Sequence, residues 1–407
     1  MKTVTDRYRS VKPTITEARG PSRGDVNHPC GDARLAWSRF SCNVSETVAQ
    51  IGPLSEAAEP DGTGSPGSAG RHTIREIAAF AGVSTATVSR VVNGSGYVSP
   101  ATRRNVERVV AEYGYTANRS ARALSAGRTG LVGVTVPLIH PAYFSVIIAG
   151  VTEALYEQDM RIVLCPTLHE HDREVSLLER LMHGTTDCAL LVLPEESSSE
   201  LRTLMRHGFR FVVVDPRMRI DERVPTVSAA HSAGANQATT HLLELGHRRI
   251  AAITGPGGWM ATDERLRGHR AALGTAGVPF DPALVVESNF EVDGGRAAAT
   301  VLLDLAEPPT AIFAFNDQLA IGSMQAALER GLRVPDDISI VGFDDTAEAE
   351  IVTPRLTTVH QPLAEIGRMG VSLLTRLLEN QRLDALHVEL ETRLVKRGSA
   401  GPPGGRG

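Results

Sequence analysis

The spacing of apolar residues changes twice along the 407-residue chain and divides it into regions. Residues 1–70 show neither a helical nor a strand period, and the stretch from Glu59 to Gly70 is dominated by Gly, Pro, Ser and Ala. Such a segment lacks the regularly spaced apolar side chains that would offset the entropy of folding. We therefore predict a disordered N-terminal extension over residues 1–70. A start codon assigned too far upstream, so that the segment is not translated, is the alternative.

Residues 71–117 contain three short stretches of helical spacing, and each opens with a capping signal. Thr73 and Glu76 have the spacing of a capping box, Ser84 is an N-cap candidate, and Ser99 is followed by Pro100. The first two helices are separated by a tight turn, as in a helix-turn-helix. The positions expected to face a shared core are Ile74, Ile77, Ala78, Ala81, Val88, Val91, Val92, Val106, Val109, Val110 and Tyr113.

A further short helix is predicted after this unit, from Arg119 to Ser125. Asn118 is its candidate N-cap, and Gly127 and Gly130 break the chain behind it. We assign residues 118–128 to a hinge helix and linker.

Residues 129–397 alternate short apolar runs with amphipathic helices. This alternation predicts βαβ units and parallel sheets, and about 270 residues exceed one comfortable core, so we expect two lobes. The glycine-rich end, residues 398–407, is predicted to be a flexible tail. The predicted strands are Leu131–Val136, Arg161–Cys165, Ala189–Leu193, Phe211–Val214, Arg249–Ile253, Ala311–Ala314 and Ser339–Val341. The predicted helices are Phe144–Glu157, Arg173–His183, His231–Leu245, Asp263–Thr275, Gly294–Leu305, Gln318–Arg330 and Ala364–Glu379.

Charge is distributed unevenly along the chain. The formal net charge is −5, but residues 71–128 hold nine arginines against three glutamates and sum to +6, which leaves −11 for the remainder. This asymmetry is typical of a basic nucleic-acid reader attached to an acidic body. The chain has no run of eighteen apolar residues and its start has no apolar signal region, so we expect a cytoplasmic protein.

The second predicted helix has a surface suited to the major groove of DNA. At 100° per residue, its valines point to the core, and Ala86, Ser89, Arg90 and Asn93 point outward, with Thr85 at the tip. Small side chains allow a helix to approach base edges, which present distinct donor and acceptor patterns in that groove. A small three-helix bundle without a DNA partner would show the same pattern, so the pattern alone leaves both interpretations open.

The residues themselves resemble a known family. The stretch from Thr73 to Thr129, above all AGVSTATVSRVVN and the later ANRSARAL, closely resembles the headpiece of the lactose-repressor family of transcription regulators. The resemblance implies that Thr85 and Ala86 read bases and that Leu124 wedges into the minor groove, which costs on the order of a few kcal/mol of unstacking. Two copies must then meet on a near-palindromic DNA operator, so a homodimer is implied. The other DNA-binding positions implied are Ser84, Thr87, Ser89, Arg90, Asn93, Ser99, Asn118 and Ala121.

The α/β region resembles the same family to its end, in the blocks ERLRG, FNDQLAIG, VPDDISIVGFDDT and LTTVHQ. It is also similar to periplasmic sugar-binding proteins. The expected fold class is therefore an all-α helix-turn-helix headpiece joined to a periplasmic-binding-protein-like core of two parallel-sheet lobes. A small sugar or sugar-like effector is expected between the lobes. A guanidinium and a carboxylate are suitable partners for such an effector, since each can bind two hydroxyl groups. The effector-binding residues implied are Phe144, Asp215, Arg265, Phe290, Asn316, Asp344 and Gln361.

The remaining motifs in the sequence do not support a metal site, a phosphate loop or a catalytic site. The four cysteines have no metal-ligand spacing and are predicted to be reduced thiols, and the glycine-rich Thr254–Met260 lacks the pattern of a phosphate loop. We interpret Asp337 and Asp345 as surface ion pairs or loop caps. The histidines His231, His241 and His247 are interpreted as surface residues. We expect neither a cofactor nor a metal, and no enzyme activity.

The resulting hypothesis is a sequence-specific regulator, a repressor whose operator affinity is controlled by the effector. A sugar receptor without a regulatory role is the main alternative, although it would need an export signal and no headpiece. A sugar-modifying enzyme, an activator and a regulator assisted by a phosphoprotein partner are further alternatives. The absence of leucine heptads after Thr392 argues against a tetramerising coil.

Overall fold

The structure is a computed structural model that describes residues 72–115 and 128–404. The predicted extension over residues 1–70 and the hinge positions Asn118, Ala121 and Leu124 lie outside the described residues. The predictions made for them therefore stay predictions.

Residues 72–115 form three helices, α1 (Ile74–Ala81), α2 (Thr85–Asn93) and α3 (Pro100–Glu112). Thr73 and Glu76 make the reciprocal capping box, and the Oγ atoms of Ser84 and Ser99 accept hydrogen bonds from backbone N–H groups three residues on. Each such cap stabilises its helix by about 1 kcal/mol. The predicted starts of all three helices are thereby confirmed.

The headpiece core lies where the helical spacing predicts it. Ile77, Val88 and Val106 are completely buried, one from each helix. Tyr113 differs from its predicted inward position, because it stays 37% exposed and stacks on Phe80 at 4.4 Å between ring centroids. The stacked pair covers the surface beside the core instead of filling it.

Two six-stranded sheets with flanking helices make up residues 129–400. The strand order is β11-β5-β4-β3-β1-β2 in the first lobe and β12-β10-β9-β8-β6-β7 in the second, and only the β10–β12 pair is antiparallel among the strands described. The strands are β1 Leu131–Val136, β2 Arg161–Pro166, β3 Cys188–Val192, β4 Phe211–Val214, β5 Thr226–Ala229, β6 Ile250–Thr254, β7 Val285–Glu287, β8 Ala311–Ala314, β9 Ser339–Asp344, β10 Thr357–His360, β11 His387–Leu390 and β12 Arg393–Val395. The helices are α4 Ala142–Glu157, α5 His171–Arg180, α6 Ser198–Arg206, α7 His231–Glu244, α8 Met260–Thr275, α9 Val292–Leu303, α10 Asp317–Glu329, α11 Ala347–Ile351 and α12 Leu363–Leu378, with a π turn at Leu181–Thr185 and a 3₁₀ turn at Pro282–Leu284.

The chain passes between the lobes three times, after β5, after β10 and after β11. The second passage carries α12 back to the first lobe, where it packs closely on α4. Glycines allow this approach, since a Cβ atom on Gly150 would lie 2.0 Å from the carbonyl oxygen of Ala364. The carboxyl ends of strands from both sheets border one cleft between the lobes, where ligands bind in open α/β sheets.

The described part of the predicted tail is packed. Ser399 is fully buried, and its hydroxyl donates to the carbonyl of Ile340 at 2.5 Å and accepts from the N–H of Thr357 at 2.8 Å. His247, 1% exposed, lies 2.9 Å from the carbonyl oxygen of Gly401 through Nε2. The prediction of a flexible tail is therefore wrong for residues 398–404, because backbone and hydroxyl groups there complete hydrogen bonds at the amino ends of β9 and β10. The surface position predicted for His247 is wrong for the same reason.

Candidate functional site

A cavity of about 530 Å³ lies between the two lobes. Residues at strand carboxyl ends of both sheets line it, as the topology predicts: Asp215 follows β4, Asn316 follows β8 and Asp344 ends β9. The complete lining is Leu138, His140, Pro141, Tyr143, Phe144, His169, Leu193, Glu195, Asp215, Arg217, Pro256, Trp259, Ala261, Arg265, Asn289, Phe290, Glu291, Val292, Asn316, Gln318 and Asp344.

A chain of buried polar groups forms the floor of the cavity. Asp215 Oδ1 lies 2.8 Å from His231 Nε2, and His231 Nδ1 lies 3.3 Å from an Arg265 guanidinium nitrogen. That nitrogen is 3.8 Å from the Asp344 carboxylate, and Gln361 donates to Asp344 at 2.6 Å. Because Asp215 belongs to the first lobe and the others lie on the second, this floor network connects the lobes.

The Arg265 side chain is held from several directions. It donates to the Phe315 carbonyl, and its guanidinium lies 3.9 Å from the centroid of the Phe343 ring. Only 3% of the residue is exposed, and its Nε has no hydrogen-bond partner within the described protein. A buried donor of this kind is costly unless a ligand satisfies it.

The two floor carboxylates have opposite pKa shifts. Burial alone would raise the pKa of Asp215, but the neighbouring His231 and the hydrogen bond from Tyr143 outweigh it and lower the pKa. Burial raises the pKa of Asp344 to about 7, although Arg265 and Gln361 oppose the rise. Asp215 is therefore ionised at neutral pH, whereas Asp344 is close to its titration midpoint.

The backbone is strained at these carboxylates. Asp215 has φ +50° and Asp344 has φ +121°, both in the half of the map that L-residues rarely adopt. Leu193 and His169, which also line the cavity, have φ +47° and +58°. Such conformations cost of order 1–3 kcal/mol each and cluster at ligand clamps and active sites. The strain sits on the cavity wall, where it fixes the direction of the side chains.

Aromatic and charged residues form the mouth of the cavity. Arg217 of the first lobe pairs with Glu195, and its guanidinium lies 4.5 Å from the ring centroid of Trp259 of the second lobe. Trp259 in turn lies 5.6 Å from Phe290 between centroids. A backbone hydrogen bond of 2.7 Å from Met260 N–H to the Arg217 carbonyl crosses the cleft beside them. The mouth thus offers an aromatic corner next to paired charges.

The structure brings together the residues predicted to bind the effector. Six of the seven line the cavity, and Gln361, 2% exposed, lies behind Asp344 and orients it. Asn316 caps α10 by accepting from the N–H of Leu319 and donates to the Phe290 carbonyl, so its amide also holds the aromatic wall.

The predicted surface positions of His231 and His241 are wrong, since they are 3% and 9% exposed. The sequence reasoning missed Tyr143, which lines the cavity, and His231, which lies behind the lining between Asp215 and Arg265. The signal available for His231 was its position directly after a strand at the carboxyl edge of a sheet. For Tyr143 the only signal in the sequence was its position next to Phe144. In contrast, Asp345 and Asp337 pair with Arg397 and Arg333, as interpreted from the sequence.

A buried acid pair lies behind the wall of the first lobe. Glu174 and Glu196 are each 1% exposed, and burial raises their pKa values to about 7 and about 9. Glu174 accepts the backbone N–H of Glu195 at 2.9 Å, whereas neither carboxyl oxygen of Glu196 has a well-aligned hydrogen-bond partner among the described residues. Two carboxyl groups placed this way hold at least one proton between them at neutral pH.

Two cysteines fall within the described ranges, Cys165 and Cys188, and both are buried free thiols. Burial raises the pKa of both, that of Cys188 to about 12, so neither is a reactive thiolate. Residues 72–115 and 128–404 contain no group of three metal-ligating side chains placed to hold a metal ion.

The outward surface of α2 carries the residues predicted to read DNA. Thr85, Ala86 and Arg90 are exposed, and Val88 and Val91 beneath them are buried. Ser89 accepts a hydrogen bond from Asn93 at 3.1 Å. The headpiece therefore keeps its small and basic side chains outside its own core. Ser84 and Ser99 lie at the starts of α2 and α3, where their hydroxyl groups accept the capping hydrogen bonds. The Thr87 hydroxyl lies 3.0 Å from that of Ser84.

Comparison with known proteins places this architecture in a family. The family model described as "Bacterial regulatory proteins, lacI family" matches residues 73–118, and that of a "Periplasmic binding protein-like domain" matches residues 239–400. The chain is 33% identical to the ribose operon repressor of Escherichia coli K12 over 328 residues, 81% of this chain and 99% of that one.

Two solved structures are also similar. One, titled as a complex of the transcriptional regulator CelR with cellobiose, has a TM-score of 0.63 and 36% identity over 81% of this chain and all of that one. The other, the lac repressor dimer bound to operator and the anti-inducer ONPF, has a TM-score of 0.74 and 28% identity over 82% of this chain and all of that one. The resemblance and fold class expected from the sequence are confirmed. The family consists of transcriptional regulators and not of enzymes. The chain belongs to the lacI family of bacterial regulatory proteins and is a transcriptional regulator with a helix-turn-helix headpiece and a two-lobed periplasmic-binding-protein-like core.

Proposed function

We propose that the protein is a homodimeric repressor whose affinity for a near-palindromic operator is set by a small sugar bound between the lobes. The observation that carries this proposal is the floor network of Asp215, His231, Arg265 and Asp344. It spans both lobes, and it presents a charged fork and carboxylates to one cavity. A repressor acts on the chromosome, so we also place the protein in the cytoplasm.

On the DNA side, α2 enters the major groove with Thr85 and Ala86 against base edges. Arg90 reaches a phosphate or a guanine, and Leu124 enters the minor groove at the operator centre. The similarity to the operator-bound lac repressor dimer supports this mode and the homodimer. The remaining contacts proposed, through Ser84, Thr87, Ser89, Asn93, Ser99, Asn118 and Ala121, position the headpiece on the backbone and in the grooves.

On the effector side, the carboxylates of Asp215 and Asp344 accept sugar hydroxyl groups and Arg265 donates to them. Phe144 and Phe290 pack against the apolar faces of the sugar, Asn316 supplies an amide, and Gln361 orients Asp344. A ligand held by both lobes favours one degree of lobe closure over another. That preference changes operator affinity through a coupling free energy of typically about 1–3 kcal/mol.

The proposal is tested by selecting DNA from a random pool with the full-length chain and measuring the affinity of the enriched sequence by fluorescence anisotropy at several salt concentrations. We expect an enriched inverted repeat and an affinity that falls steeply with salt, because phosphate contacts release counterions. Arg90→Met should weaken binding and make the salt dependence less steep. Arg223→Met, which removes an exposed arginine paired with Asp221 on the core, is the matched control. Binding without sequence preference or salt dependence would contradict the proposal.

A further inference from the structure

We infer that the effector is an uncharged sugar of two rings, with the second ring bound at the mouth of the cavity by Trp259, Arg217 and Glu195. This inference rests on the proposed function and narrows it. Three observations support it: the size of the cavity, the two separate groups of recognition residues along its wall and the pairing of its charges.

The cavity is larger than one sugar ring requires. Its volume of about 530 Å³ lies within the range of about 300–1,000 Å³ typical of pockets that bury drug-sized ligands. A hexose has about a dozen non-hydrogen atoms and a disaccharide about two dozen. The cavity therefore has room for a disaccharide, and a single hexose would occupy a smaller part of it.

The recognition groups form two centres. Helix α8 provides both, because Trp259 is its N-cap and Arg265 follows six residues later. At 1.5 Å per residue, the two positions are about 9 Å apart along the helix axis. Trp259 packs with Phe290 and Arg217 at the mouth, whereas Arg265 belongs to the floor network with Asp344. The geometry fits one ring on the floor network and another at the mouth.

The charges at both centres favour a neutral ligand. The guanidinium groups of Arg265 and Arg217 already face the carboxylates of Asp344 and Glu195. Asp215 and Glu291 add further negative charge to the lining, and Glu291 accepts from Asn289 at 2.7 Å. A phosphorylated or carboxylated sugar would meet four carboxylates and two arginines that already have partners. Hydroxyl groups, in contrast, can donate to the carboxylates without a charge penalty.

A second sugar ring at the mouth would also contact residues of both lobes. Arg217 belongs to the first lobe and Trp259 to the second, and the Met260–Arg217 backbone hydrogen bond joins the same segments. A ring that packs on Trp259 and hydrogen-bonds Arg217 or Glu195 therefore binds the two lobes to each other. The mouth contributes to closure as well as to selectivity.

The test is calorimetric titration of the full-length chain with cellobiose, maltose and lactose, with glucose and galactose, and with glucose 6-phosphate. We expect at least one disaccharide to bind about tenfold more tightly than either of its component monosaccharides, and glucose 6-phosphate to bind no better than glucose. Trp259→Ala should remove the disaccharide advantage and leave monosaccharide affinity within about twofold. Trp259→Phe should retain part of the advantage. Tyr156→Ala, at an aromatic residue 84% exposed on α4, is the matched control and should change neither affinity.

A spectroscopic readout supports the titration. The chain has two tryptophans, Trp37 and Trp259, so a Trp37→Phe background leaves emission from Trp259 alone. Disaccharide binding should change this emission, whereas monosaccharide binding should leave it nearly unchanged. A monosaccharide that binds as tightly as every disaccharide, a preference for the phosphate ester, or a Trp259→Ala chain with full disaccharide affinity would overturn the inference and leave the proposed function standing. A panel in which no sugar binds at all would contradict the proposed function itself.

Discussion

Replacing Asp344 by Asn tests the floor of the cavity, because the two side chains have the same shape and differ in charge. The carbonyl oxygen of the introduced amide can still accept from Gln361, so the fold should be retained. Hydrogen bonds to a charged group contribute about 1.5–3 kcal/mol each and are roughly twice as strong as neutral ones. With two sugar hydroxyl groups donating to the carboxylate, the substitution should cost about 1.5–3 kcal/mol of binding. The dissociation constant should therefore rise about 10- to 150-fold.

The pH dependence of sugar binding gives a second signature of Asp344. Its pKa in the free protein is raised to about 7 by burial, and the sugar favours the ionised form, so the pKa falls on binding. Wild-type affinity should consequently decrease as the pH falls through about 7, because protons then compete with the sugar. Asp344→Asn should lack this decrease, and Asp337→Asn, which alters a carboxylate paired with Arg333, should keep it.

Calorimetric titration between about pH 5.5 and pH 8.5 measures both effects, with circular dichroism to confirm the fold of each variant. An Asp344→Asn chain that binds sugar within about twofold of wild type and with the same pH dependence would mean that the Asp344 carboxylate does not bind the sugar. Its operator affinity without sugar should stay unchanged, since Asp344 lies in the core and away from α2 in the sequence.

Two further predictions concern stability. Burial raises the pKa of Glu196 to about 9, so the stability contributed by its protonated form is present below about pH 4.5 and is lost as the pH rises toward 9. Glu196→Gln should therefore melt at a higher temperature than wild type at pH 9 and at the same temperature at pH 5. Equal melting temperatures at pH 9 would count against the acid pair. Gly150→Ala should lower the free energy of unfolding by about 1–3 kcal/mol in denaturant titration, because the added Cβ would lie 2.0 Å from the Ala364 carbonyl oxygen. Gly274→Ala in helix α8 is the control and should be neutral or stabilising, because its Cβ would have no neighbour within 4 Å. Equal effects of the two substitutions would exclude close packing of α4 on α12.

Buried parallel strands were the most predictable part of the fold. Leu131–Val136, Phe211–Val214 and Ala311–Ala314 have the predicted bounds, because continuous apolar runs between helices leave few other arrangements. The strands β5, β7, β10, β11 and β12 were not predicted. They are three or four residues long and carry polar side chains, so their sequences have neither a long apolar run nor a clear alternation. The pairing of β11 and β12 also depends on where the chain crosses between the lobes, which the local sequence pattern does not show.

The candidate site was predictable in its residues but not in its contacts. The resemblance indicated Asp215, Arg265 and Asp344, and their residue types suit sugar hydroxyl groups. Nothing in the sequence showed that His231 links Asp215 to Arg265, since a histidine at the start of an amphipathic helix is compatible with the surface. The roles of Trp259 and Arg217 at the mouth likewise depend on the approach of two lobes, which only the folded chain provides.

A sugar in the cleft is expected to change the affinity of the headpiece for its operator. The most direct measurement is anisotropy of the selected, fluorescently labelled operator titrated with the full-length chain, with and without a saturating sugar from the titration panel. We predict a change in the dissociation constant of about 5- to 150-fold, and Asp344→Asn should reduce this change at the same sugar concentration because it weakens sugar binding. An operator affinity that is the same with and without a sugar shown to bind the cleft would mean that the cleft does not control DNA binding.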